Sequence, residues 1–150
     1  LNNTGYIIRD FTPRDYPEVT RIWEETGMSD PRRADDLEVI LKTIRAGGRL
    51  ILLEDGGSGT LAGTSWITTD QRRIYLHHFA VRPAFQGRGL SRLLLRESLD
   101  FAGKSGMQIK LEVHSGNEKA IRLYTRGGFS YLGDYRVFII RDFHGHAPCG

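Results

Sequence analysis

The chain contains a single cysteine, Cys149, among 150 residues, so an internal disulfide is excluded. That thiol sits in a tail of Gly, His and Pro, without the enclosure that a thiol nucleophile or a thiolate metal site requires. His144 and His146 stand in the same tail, where a loose chain end is expected and no metal centre. Long apolar runs are missing as well. The stretches 50–53 and 138–140 are far too short to cross a bilayer, and the first residues lack the basic-then-apolar pattern of a secretion signal. A cytoplasmic protein with no membrane partner is the expectation. Strong charge of either sign is also absent. The formal net charge is +3, and the basic residues are scattered without interleaved stacking aromatics, which argues against a nucleic-acid partner.

What is present fits one globular domain over 1–150, with a core at about 6–143 and a tail at 144–150; 39% of residues are hydrophobic and 26% charged. A first strand is expected over 6–10. Thr12-Pro13-Arg14-Asp15 then supplies a helix start, and Val19, Ile22 and Trp23 give that helix an apolar stripe. A second helix is expected over 35–46, with Leu37, Ile40, Leu41 and Ile44 on one face and Gly47 as its stop. Strands over 49–54 and 61–68 flank the turn Asp55-Gly56-Gly57-Ser58-Gly59. A strand holding His77 and His78, a leucine-rich helix, a strand holding Glu112 and a helix holding Tyr124 follow. Two last strands are expected near Tyr131 and over 136–141, joined by Gly133-Asp134. The class is α/β (α+β), a mixed central sheet in the order β-α-α-β-β-β-α-β-α-β-β.

The most specific segment is a strand ending at Val81-Arg82-Pro83 that re-emerges as a helix through Gln86-Gly87-Arg88-Gly89-Leu90-Ser91. Such a turn leaves backbone N–H groups unpaired at the positive end of a helix, and glycine lets an anion approach the main chain without a Cβ in the way. The spacing matches neither a P-loop nor the dinucleotide-binding glycine pattern. Arg82, Arg88, Arg92 and Arg96 cluster in sequence around the turn, where a polyanionic cofactor would meet them.

A second segment runs from Leu111-Glu112-Val113 through Asn117, Ala120 and Tyr124 to Gly128-Phe129. As a pair, the two segments resemble the GNAT superfamily of N-acetyltransferases, whose acetyl-CoA signature is Gln/Arg-x-x-Gly-x-Gly/Ala followed later by Asn-x-x-Ala-x-x-x-Tyr and Gly-Phe. Within it the second segment is similar to the ribosomal-protein alanine N-acetyltransferases. One position departs from the pattern: Ser91 stands where the superfamily usually has Gly or Ala, small enough to keep the helix start near a phosphate.

The resemblance implies the GNAT fold, acetyl-CoA as cosubstrate without a metal, and direct transfer to an amine. The acceptor would be a small-molecule amine or amino acid, with a peptide N-terminus as the alternative. A non-catalytic acyl-CoA sensor is the alternative of another class, and pairing of two copies through sheet edges to form a homodimer stays open. The main chain of Phe79, Ala80 and Val81 would pair with the pantetheine arm, and Gln86 with Gly87, Arg88, Gly89, Leu90, Ser91 and Arg92 would hold the pyrophosphate. Asn117 is implied both as a coenzyme contact and as a helix N-cap. A lysine-type amine is almost wholly protonated at neutral pH, so a base is needed. Glu112 and His77 are the two candidates, the second because His77-His78-Phe79-Ala80-Val81 resembles the pattern of arylalkylamine acetyltransferases. Strand alternation would put His77 and His78 on opposite faces unless the strand bulges. Tyr124 is implied as the general acid at the departing thiolate, as well as a coenzyme contact.

Overall fold

The computed structural model describes residues 5–141 and Phe143; Asp142, the tail histidines His144 and His146, and Cys149 lie outside the described residues. Five strands form one sheet in the order β1-β2-β3-β4-β5. They are β1 Tyr6–Asp10, β2 Arg49–Asp55, β3 Leu61–Thr69, β4 Arg73–Val81 and β5 Gln108–Leu111. The first four are mutually antiparallel, while β4 and β5 run parallel and are joined by the crossover helix α3, Leu90–Ser105. Helices α1 (Tyr16–Glu25) and α2 (Leu37–Arg45) lie between β1 and β2, and α4 (Glu118–Arg126) follows β5.

Local chemistry sets the helix starts. Asp15 accepts from the Thr12 N–H at 2.8 Å ahead of a short 3-10 turn, Pro13–Asp15, that leads into α1. Asp36 accepts from the Val39 N–H at 2.9 Å to begin α2, and Asn117 from the Ala120 N–H at 3.2 Å to begin α4.

Both faces of the sheet are covered, which explains why β2 reads as an unbroken apolar run. Leu50 and Leu52 point to the α1 and α2 side with Val19, Ile22, Trp23, Ile40 and Trp66. Ile51 and Leu53 point to the α3 and α4 side with Ile74, Leu76, Leu94, Leu95 and Tyr124.

The expected strands near Tyr131 and over 136–141 do not form. This segment has no strand hydrogen bonds among the described residues, and Tyr131, Val137, Phe138, Ile139 and Ile140 are exposed. The composition favours a strand, but a strand needs a partner edge. The open edge of β5 is only four residues long, and the chain leaves the sheet at Leu111.

β3 and β4 fall out of register between Thr64 and Trp66: Thr64 pairs with Ala80 and Trp66 with His77, so Ser65 faces both His78 and Phe79. His78, at the extra position, has φ 41°. Just beyond the bulge, Gly63 brings β3 close to the end of β4. A Cβ on Gly63 would lie 2.6 Å from the Ala80 carbonyl oxygen. Gly63→Ala is therefore expected to destabilise the fold by about 1–3 kcal/mol, measured by urea denaturation; an unchanged midpoint would refute the close approach.

Candidate active site

The end of β4, the turn after it and the start of α4 enclose a cleft of about 880 Å³. Its walls include Phe79, Ala80 and Val81, the span from Gln86 to Arg92 apart from Arg88, and Asn117 and Lys119 of the α4 entrance. The residues expected to meet the coenzyme, apart from Arg88 and Tyr124, thus line one cleft. Gln86 ties the parts to one another: its Nε2 donates to the Val81 carbonyl at 2.9 Å, and its Oε1 accepts from Lys119 Nζ at 3.3 Å.

Gly87 and Gly89 have φ 79° and 75°, and a Cβ at either would point into open space. Among the described residues, the N–H groups of Gly87, Arg88, Gly89, Leu90 and Ser91 have no protein acceptor. Leu90 anchors the helix start in the core at 4% exposure, so these donors are fixed in place. Five consecutive free donors on a glycine turn at a helix N-terminus fit the diphosphate of a coenzyme A molecule.

The arginines divide. Arg82 is turned away from the turn, against expectation: it is buried, gives Nε and Nη2 to Glu25 at 2.9 and 2.8 Å, and gives Nη1 to Glu18 at 2.6 Å. Two carboxylates on α1 outcompete an exposed orientation for it, and it raises no cation over the cradle. Arg88 donates to the Tyr6 hydroxyl and the Ala84 carbonyl, both at 3.1 Å, and lies over the Phe85 ring. With Arg92 and Arg96 it lines a separate cleft of about 540 Å³ that shares Gly89 and Leu90 with the cradle.

The bulge places His77 and His78 on the same side of the sheet. His78 packs against Trp23 at 4.3 Å and Trp66 at 5.3 Å, while the His77 ring lies 6.3 Å from Trp66. Phe79 then turns to the opposite face, with its ring edge-on to Tyr124 at 5.8 Å. Leu76 and Leu111 are the last register pair of β4 and β5, so His77 and Glu112 are the next residues where these strands part. Tyr75 and Lys110, two residues earlier on each strand, share a face, with Lys110 Nζ 4.9 Å from the Tyr75 ring. His77 and Glu112 therefore act on one another. Burial lowers the His77 pKa, the Glu112 charge raises it, and Arg33 lowers it. His77 Nε2 also shares a hydrogen bond of 2.9 Å with Thr68 Oγ1.

Tyr124 stands behind Phe79 and against Phe129, with a ring separation of 5.8 Å from each. Its hydroxyl makes no hydrogen bond among the described residues. None of their buried side-chain polar atoms is unsatisfied, so that hydroxyl reaches the accessible surface. Burial pushes its pKa up to about 12. Met28, beyond α1, lines the cleft, Trp23 joins the histidines, and Arg32 is folded back on Asp30 at 2.8 Å.

Sequence reasoning missed Asp35, whose Oδ2 lies 3.2 Å from His78 Nε2. The one local signal was the Asp35-Asp36 pair: a helix start needs a single cap, Asp36 provides it, and the other carboxylate is left for a different use.

The sequence model of the Acetyltransferase (GNAT) family matches residues 9–129. The chain is 43% identical over 79 residues to the N-alpha-acetyltransferase RimI of Mycobacterium tuberculosis, a match covering 50% of this chain and 49% of that protein. It therefore spans about half the length of that relative. It is 30% identical over 135 residues to the streptothricin acetyltransferase of Streptomyces lavendulae, covering 89% of this chain and 67% of that protein. An acetyltransferase of Salmonella typhimurium solved with its cofactor acetyl-CoA superposes with a TM-score of 0.71 at 22% identity, over 83% of this chain and 79% of that one.

The His78 environment also sets a pH dependence. Burial, with Arg33 and His77, lowers its pKa from 6.5 to about 4. As pH falls through that window the unfolded chain takes up a proton that the folded chain refuses, so stability declines, by about 3 kcal/mol for a displacement of this size. Asp35, raised by burial, opposes the loss at the acid end. Denaturation midpoints measured between pH 7 and pH 4 are expected to show this decline in the natural chain and a flatter profile in His78→Gln; equal profiles would refute it.

Proposed function

The chain belongs to the GNAT acetyltransferase family, and from that membership we propose that it is an acetyl-CoA-dependent N-acetyltransferase passing the acetyl group directly to an amine. The observation that carries this reading is the row of free N–H donors from Gly87 to Ser91 at the start of α3, beside the main chain of Phe79 to Val81. Acetyl-CoA supplies a thioester carbon open to attack by an amine and a thiolate able to leave. Everything else falls to the chain's own groups.

The cradle donors take the diphosphate oxygens, with Gln86, Arg88, Arg92 and Asn117 bordering them. Main-chain groups at Phe79, Ala80 and Val81 would align the pantetheine arm, and an N–H there would supply a donor to the oxygen on which negative charge develops. His77, held below its ordinary pKa, is neutral at pH 7 and can take the proton of the acceptor amine. The Glu112 carboxylate then favours the imidazolium so formed, so the two candidate bases work as a pair. Tyr124 keeps its proton throughout the neutral range and acts as a hydrogen-bond donor to the departing sulfur.

The acceptor we propose is a small-molecule amine. The longer of the two sequence matches, over 89% of the chain, is to an enzyme named for streptothricin, while the match to the N-alpha-acetyltransferase covers 50%.

Release of free CoA in the presence of an amine panel tests the reading. Tyr124→Phe is expected to lower kcat by about tenfold or more while acetyl-CoA affinity stays within about twofold. Glu112→Gln and His77→Gln are expected to lower kcat/KM, with the double variant losing less than the product of the two single losses. Full turnover in Tyr124→Phe would remove that residue from the reaction, and failure to bind acetyl-CoA would overturn the cradle.

A further inference from the structure

Four side chains from separate parts of the chain meet on the α1 and α2 side of the sheet: Trp23, Asp35, Trp66 and His78. The two indoles stack at 5.7 Å with planes 14° apart, and the His78 ring lies 4.3 Å from Trp23 and 5.3 Å from Trp66. Both indole N–H groups are committed elsewhere, Trp23 to Thr64 Oγ1 at 3.0 Å and Trp66 to Thr43 Oγ1 at 2.9 Å, which fixes the rings.

Asp35 completes the group. Its side chain is 21% exposed, against 8% for His78, so it stands at the open end of an otherwise closed cluster. Among the described residues it has no Lys or Arg within ion-pair distance, and its charged-partner contact is His78. Arg33 acts on it only through space, its guanidinium donating to the Met28 carbonyl at 3.3 Å. A carboxylate largely out of water, whose one charged-partner contact among the described residues is a His78 imidazole itself packed against two indole rings, favours a cation that comes from outside the chain. Met28 lines the coenzyme cleft, and Phe79 immediately follows His78, so this cluster adjoins the acetyl-transfer site.

We infer that Asp35, steadied by His78, receives a positively charged group of the acceptor distinct from the amine that is acetylated. Preferred acceptors therefore carry two cationic nitrogens. The inference rests on the acetyl-transfer reading, in which Glu112 and His77 serve the reacting amine at the β5 side of β4 while Asp35 stands at the α2 side.

The chain has 2 tryptophans and both belong to this cluster, so its intrinsic indole fluorescence reports on the site alone. The full chain with CoA bound is titrated with cadaverine and, at matched ionic strength, with n-pentylamine. Cadaverine is expected to give a saturable change at a concentration about tenfold lower than pentylamine. Asp35→Asn should abolish that advantage, Asp35→Glu should restore most of it, and Glu38→Gln on the exposed face of α2 should leave it unchanged. Identical titrations by the two amines, or a preference that survives in a folded Asp35→Asn protein, would overturn the proposal. Turnover is scored separately. CoA release without any preference for diamines counts for acetyl transfer and against the cation site; an Asp35-dependent titration with no release from any amine counts for the cation site and against transfer.

Discussion

Opposite Ser65, β4 carries one residue more than β3, and the geometry of the candidate site follows from that mismatch. The extra residue, His78, adopts φ 41°, a conformation that costs a non-glycine residue about 1–2 kcal/mol. It is held there at both ends. The Thr64 hydroxyl donates to its carbonyl at 2.8 Å and accepts from the Trp23 indole, while the imidazole is enclosed by two tryptophans and Asp35. With the bulge in place, two consecutive histidines share a face and Phe79 is sent to the other, toward Tyr124. A regular strand would have left one histidine on each side.

The ion pairs act on the same end of β4. Arg82 binds Glu18 and Glu25 of α1 and the carbonyl of Leu61, joining a helix and two strands just before the cradle. A buried guanidinium gives up its hydration, and three acceptors are needed to replace it. The exit of β4 is thereby fixed relative to α1, and the chain just past that helix lines the cleft at Thr26 and Met28. One arginine thus ties α1 and β3 to the end of β4.

How much of this was legible depended on range along the chain. The cradle was, because Gly87, Gly89 and the helix that follows are a local unit whose dihedrals and free donors come from adjacent residues. The Asn117 cap was for the same reason. The pairing of His77 with Glu112 was not, since both were read as rivals and only the parallel register of β4 and β5 makes them neighbours. Arg82 misled because sequence proximity to the glycines said nothing of two carboxylates 57 and 64 positions away. The stretch over 136–141 misled in the other direction: its composition favours a strand, and strand formation depends on an edge that β5 is too short to provide.

The double burial of β2 has a further effect. Leu50 and Leu52 root the layer of α1 and α2, and Ile51 and Leu53 root the layer of α3 and α4, on alternate residues of one backbone. Neither layer can peel away without uncovering a strand whose other face still holds its partner. The two halves of the cleft therefore belong to one cooperative unit, and the slowest amide hydrogens to exchange with solvent are expected to be those of 50–53, which open only with the whole sheet.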